Sequence, residues 1–229
     1  SAACFVNGDA DELWFLHNNG ATFVTMFGVL EAKKHDYVLI PRGTPYFMES
    51  QTDKLEALII EGDPFIQVPG EFLNPHGQLK LEAPYTHRDF RSPRELLSFD
   101  QAQKFKLQWS LRRDRVTEIE YKQAPHQVIG WDGAVYPFAF NVHDYLPKTG
   151  KIHLPPNIHL TFRSQKFVVC SFVPRLVDYG KDAIPCPYPH ANVNCEEILY
   201  YVEGNFTSRK GIKEASFSFH PAGVPHGPQ

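Results

Sequence analysis

Short apolar runs broken by proline and glycine dominate this chain. Residues 11–16 (DELWFL), 21–31 (ATFVTMFGVLE), 36–41 (DYVLIP), 55–62 (LEALIIEG), 115–122 (RVTEIEYK), 166–174 (KFVVCSFVP), 197–204 (EILYYVEG) and 215–221 (ASFSFHP) are rich in Val, Ile, Phe, Tyr and Thr. Several alternate apolar and polar residues with a period of two, which puts every second side chain on one face of a strand. With 19 prolines and 15 glycines between such runs, the texture predicts an all-β antiparallel sandwich or barrel and not alternating β and α units. One helix start stands out, in "SPREL". Ser92 can cap, Pro93 suits the first helical position and Glu95 completes a capping box, so one or two helical turns are expected there.

The two halves repeat each other. "DYVLIPRGTPY" (36–46) and "SFSFHPAGVPH" (216–226) both read as a strand, then Pro-x-Gly-x-Pro, then a side chain on the next strand. Upstream, Glu12 opens a strand that closes on Gly20, and Glu197 opens one that closes on Gly204. Phe5 stands where His190 stands in the second half, and Tyr46 replaces His226. The scaffold is duplicated, while ligand-type residues occur once. This predicts a degenerate N-terminal module over 1–91, a connecting segment with a short helix over 92–114, and a C-terminal metal-binding module over 115–229. Each module is expected to be an antiparallel β barrel or jelly roll with little helix.

Composition narrows the partners. A chain of 229 residues can bury a large core as one domain or as two modules of about 100 residues. Acids and bases are interspersed at a net charge of -3, so no basic footprint for nucleic acid or an anionic membrane is present. No run reaches the ~18 uninterrupted apolar residues of a membrane span. Cys4, Cys170, Cys186 and Cys195 fit neither a zinc pattern nor a small disulfide scaffold. A small-molecule or protein partner and a reducing cytoplasmic setting are expected.

His190, Glu197 and His226 have the composition of a metal centre. Two neutral imidazoles and one carboxylate on adjacent strands, with coordination positions left open, suit a hard or borderline divalent cation and in particular non-haem Fe(II). Against this, a histidine beside a Pro-Gly turn is commonly a surface residue, and a glutamate at a strand start is commonly solvated. Glu196 competes with Glu197 for the inward position. The distance from Glu197 to Gly204 favours Glu197, since Glu196 would face the other side of the pleat.

The spacing of His190, Glu197, Gly204, Pro221, Gly223 and His226 resembles the two cupin motifs, with one histidine of the usual His-x-His pair replaced at Asn192. Within the cupins, "GWDGAVYPFAFNVHDY" (130–145), "FVVCSFVPRLVDY" (167–179), "NCEEILYYVEGNFTSRKGI" (194–212) and "HPAGVPHGP" (220–228) resemble the homogentisate 1,2-dioxygenase family. The resemblance implies a bicupin whose C-terminal module alone binds Fe(II), through His190, Glu197 and His226. It implies His153, in "HLPP", as catalytic base and His220 as a second active-site histidine, with Phe206 and His226 also beside the substrate. It implies a small aromatic dihydroxy acid and O2 as reactants, giving maleylacetoacetate in tyrosine and phenylalanine breakdown, and a trimeric or hexameric assembly. Many members carry a tyrosine where this chain has Phe206. A missing phenol removes a hydrogen bond worth about 1 kcal/mol and leaves a related dihydroxyphenyl acid as an alternative substrate. A zinc- or manganese-dependent cupin without O2 chemistry and a metal-binding bicupin without catalysis are the competing readings. Of the other histidines, His159 reads as a structural hydrogen-bonder on a strand edge, and His17, His35, His76, His87, His126 and His143 read as surface or packing residues.

Overall fold

The period-two runs fold as strands. The structure, a computed structural model, describes residues 3–97, 105–111, 115–125, 128, 133–204 and 211–228. In chain order the strands are β1 (Ala3–Asn7), β2 (Asp11–Leu16), β3 (Ala21–Thr25), β4 (Gly28–Ala32), β5 (Asp36–Ile40), β6 (Tyr46–Ser50), β7 (Ala57–Gly62) and β8 (Phe90–Arg91). They continue as β9 (Phe105–Leu111), β10 (Arg115–Tyr121), β11 (Phe138–Asn141), β12 (Leu160–Arg163), β13 (Val168–Cys170), β14 (Glu197–Tyr200) and β15 (Phe217–His220). Among the described residues, three single turns of 3-10 helix are the only helical elements. The all-β expectation therefore holds. No helix among the described residues is long and apolar enough to cross a membrane.

Contacts divide the chain into two compact units, residues 1–147 with 159–173, and residues 148–158 with 174–229. The first unit holds a six-stranded sheet in the order β10-β9-β1-β6-β3-β4 and a five-stranded sheet in the order β7-β2-β5-β11-β8. Pairing is antiparallel except between β1 and β9, which run parallel. Alternation sends Leu16, Phe23, Leu30, Val38, Ile40 and Tyr46 into one buried cluster, and Cys4, Val6, Phe47, Phe105 and Leu107 into another. A third layer is aromatic: Tyr85, Phe90, Phe140 and Phe162 pack with ring centroids 5.1–6.5 Å apart. Among its described residues, the second unit has one regular element, the antiparallel pair β14–β15.

Two local expectations give way. The run 21–31 is not one strand but the hairpin β3–β4, turned at Met26–Phe27, with Thr25 opposite Gly28. Gly28 takes φ +118°, which only glycine adopts cheaply, and a side chain there would meet the Arg94 carbonyl oxygen at 2.8 Å. That close approach explains the second change. No helix forms at "SPREL": Arg94 instead bridges to β4 at the sheet edge, with Val29 N donating to Arg94 O at 2.7 Å and Arg94 N to Val29 O at 2.8 Å. Glu95 takes φ +50°. An isolated turn of helix nucleates poorly, whereas two bonds to a preformed edge satisfy the same groups at once.

Candidate metal centre

Strands β14 and β15 pair with Glu197 opposite His220, Ile198 opposite Phe219, Leu199 opposite Ser218 and Tyr200 opposite Phe217. Beyond β15 the chain turns through Pro221–Val224, closed by Val224 N donating to Pro221 O at 3.2 Å, with Gly223 at φ +74°. Gly223 N also donates to Asn192 O at 2.7 Å. The turn returns His226 to His190, and the two exchange a pair of backbone hydrogen bonds of 2.8 Å. One potential ligand atom from each of His190, Glu197 and His226 then falls within 4.8 Å of the others. Glu196 is exposed and lies outside this cluster.

Hydrogen bonding fixes both imidazoles. His190 donates through Nδ1 to the Tyr188 carbonyl at 2.8 Å, and His226 through Nδ1 to the Val224 carbonyl at 2.9 Å. A neutral imidazole has one N–H, so both Nε2 atoms carry lone pairs. His226 Nε2 is buried without a hydrogen-bond partner, 3.2 Å from Glu197 Oε2. A buried acceptor aimed at another acceptor is unfavourable unless something positive sits between them. The donor set, two imidazole nitrogens and a carboxylate, fits a divalent transition metal. His220 is buried and sends Nδ1 to Glu197 Oε2 at 2.7 Å, while its ring stacks on His226 with centroids 4.1 Å apart. It thus orients the carboxylate, as partners of metal ligands commonly do.

His153 stands apart from this cluster. Its ring meets Tyr188 edge-on at 6.3 Å, and Tyr188 in turn meets His190 at 5.7 Å. His153 Nδ1 lies 3.0 Å from Arg175 Nη2, and burial followed by the Arg175 charge lowers its pKa against the opposing pull of Asp178. Arg175, through its hydrogen bonds, and then the Gly150 amide hold the Asp178 carboxyl down at about 2. Sequence reasoning did not single out Arg175, Asp178 or Tyr188. The available signal was an arginine and an aspartate three residues apart in "VPRLVDYG". Phe206 lies outside the described residues.

The N-terminal repeat is matched in register as well as in sequence. Phe5 pairs with Tyr46 as His190 pairs with His226, and Glu12 pairs with Ile40 as Glu197 pairs with His220. Gly43 takes φ +76° and its N–H donates to Asn7 O at 2.8 Å, the counterpart of the bond from Gly223 to Asn192. Here the carboxylate is satisfied by donors. Glu12 accepts from Tyr46 Oη at 2.7 Å, Trp14 Nε1 at 3.1 Å and Asn7 Nδ2 at 3.1 Å. Burial and then the Glu12 charge push the Tyr46 phenol up, so it stays protonated and donates. Tyr46→Phe should therefore cost about 1–3 kcal/mol, read as a lower urea midpoint. An unchanged midpoint would mean that Glu12 finds a replacement donor.

Comparison with known proteins places the chain in a family. Residues 1–142 match the family described as homogentisate 1,2-dioxygenase N-terminal. A protein of Saccharolobus solfataricus, provisionally named a dioxygenase, is 41% identical over 223 residues, covering 97% of this chain and 57% of the relative. Homogentisate 1,2-dioxygenases of Nitrobacter hamburgensis and Bradyrhizobium diazoefficiens are each 23% identical, covering 98% of this chain and 50% of their own length. The chain thus spans about half the length of the curated relatives it matches. Since the family match takes in more than half of its residues, the chain belongs to the homogentisate 1,2-dioxygenase family.

Proposed function

We propose that the chain carries the catalytic centre of a non-haem Fe(II) ring-cleaving dioxygenase whose substrate is a dihydroxyphenyl acid, homogentisate in the first place. The observation that carries this reading is the converging set of acceptors formed by His190, Glu197 and His226. These three residues would hold the metal. Ferrous iron held there would supply Lewis-acid activation of a ring hydroxyl and a redox partner for O2. His220 keeps the Glu197 carboxylate aimed. His153 and Phe206 are assigned to the substrate side, His153 to the ring hydroxyl, with maleylacetoacetate as the product in tyrosine and phenylalanine breakdown. Division into an N-terminal module without a metal and a C-terminal module with one, cytoplasmic location and a trimeric or hexameric assembly belong to the same proposal.

The test is anaerobic loading with Fe(II), followed by oxygen-electrode measurement with homogentisate and with gentisate. Uptake of O2 with homogentisate, absent after loading with Zn(II), is the expected result. Substrate consumption without O2 uptake would favour a non-oxidative cupin, and faster uptake with gentisate would reassign the substrate.

A pH prediction follows from His153. Its folded pKa lies below the ordinary 6.5, so the unfolded chain takes up this proton first as pH falls. The stability it contributes is present above about 6.5 and is lost as pH drops toward the folded value. Wild type should therefore lose more stability between about pH 7 and 5 than His153→Gln. Parallel urea-midpoint curves for the two proteins over that range would contradict this.

A further inference from the structure

We propose that Arg175, clamped by Asp178, is a positioning residue that fixes His153 as the Nε2–H tautomer, so that this histidine offers a hydrogen bond to a substrate oxygen and does not take up its proton. The inference rests on the proposed assignment of His153 to the substrate. A guanidinium has donors only. Arg175 Nη2 lies 3.0 Å from His153 Nδ1 and 3.0 Å from Asp178 Oδ2, so its two hydrogens serve two acceptors. With Nδ1 accepting, the single proton of a neutral imidazole sits on Nε2.

The clamp leaves Arg175 little freedom to retreat. Nη1 reaches Asp178 Oδ1 at 3.1 Å, the Leu176 carbonyl at 3.2 Å and the Lys148 carbonyl at 3.3 Å. Asp178 Oδ1 also accepts from Gly150 N at 3.0 Å. The fork between guanidinium and carboxylate is bidentate and nearly dry, with the two side chains 11% and 4% exposed and the His153 side chain 9% exposed. The pinned segment, residues 148–150, lies just before His153, so one assembly sets both the ring's location and its proton. The lowered pKa of His153 points the same way, because a cation at Nδ1 opposes a second proton on the ring.

The chemical consequence concerns where negative charge settles. An Nε2–H stabilises a phenolate oxygen by donating to it, and transfers no proton in doing so. A general base would need the opposite tautomer, with Nδ1 protonated and facing Asp178. Asp178 Oδ2 stands 3.8 Å from Nδ1, and that alternative is what removal of Arg175 would favour.

The proposal is tested by long-range 1H–15N spectra of the imidazole nitrogens in the full chain, metal-free and zinc-loaded, with His153 assigned by loss of its signals in His153→Gln. Wild type and Arg175→Lys should show the Nε2–H pattern, and Arg175→Met should shift to Nδ1–H. In the iron-loaded protein, Arg175→Met should lower kcat by about 10–100-fold, and Arg175→Lys should recover most of it. Should Arg175→Met not fold, the wild-type and Arg175→Lys spectra still decide. An Nδ1–H pattern in wild type overturns the positioning role and leaves the dioxygenase reading intact. Undiminished turnover by His153→Gln overturns the substrate-facing assignment on which the proposal rests, whatever the tautomer.

Discussion

Glu197→Gln should cost the chain its ferrous iron, with affinity at least ~100-fold weaker, while Glu196→Gln keeps the metal. The physical reason is charge. Glu197 is the one anion among the three residues that meet at the candidate centre, and its Oε2 faces His226 Nε2 at 3.2 Å while accepting from His220 Nδ1 at 2.7 Å. A glutamine carbonyl can still accept from His220, but it brings no negative charge to a divalent ion, and its amide hydrogens compete for the same lone pairs. Glu196 is exposed and off the pleat face that carries Glu197. Metal analysis after anaerobic loading and desalting checks both variants together. Iron lost from Glu196→Gln and kept by Glu197→Gln would move the ligand by one residue and break the register argument.

Phe140→Ala should lower the stability of the first unit by about 3–5 kcal/mol. Phe140 is fully buried in β11, with ring centroids 5.2 Å from Tyr85, 5.1 Å from Phe90 and 6.1 Å from Phe162. Two of those neighbours, Tyr85 and Phe162, are themselves almost wholly inaccessible, so the space left by the ring can collapse only in part. Phe140→Leu fills more of the same space and should cost less. Urea titration provides the measurement, with the denaturant slope unchanged if the cavity acts on the folded state alone. A loss below about 1 kcal/mol would mean that the aromatic layer repacks and is not a rigid core.

What could be read directly from the sequence was whatever depends on near neighbours. The Pro-x-Gly-x-Pro turns were legible because proline and a left-handed glycine dictate local geometry, and Gly43 and Gly223 adopt φ +76° and +74° as the repeat requires. The trio His190, Glu197 and His226 was legible because those turns set the strand register. Strands β9 and β12 were not singled out although "FKLQWSL" and "LTFR" alternate apolar and polar residues, because short runs of this kind become strands only where partners stand beside them. The capping box at Ser92 misled for the same reason: its signal is local, and the edge of β4 offered Arg94 something better. The Arg175–Asp178 clamp on His153 escaped notice because neither residue is unusual until a loop more than twenty positions earlier folds onto it.

One detail of the candidate centre bears on how such sequences can drift. Each imidazole of the candidate centre is steadied by the carbonyl two positions before it, Tyr188 for His190 and Val224 for His226. The aim of both rings is therefore written into the main chain and needs no particular side chain at 188 or 224. Substitutions that preserve the turns can accumulate there without turning either ring, which leaves those two side chains free to diverge.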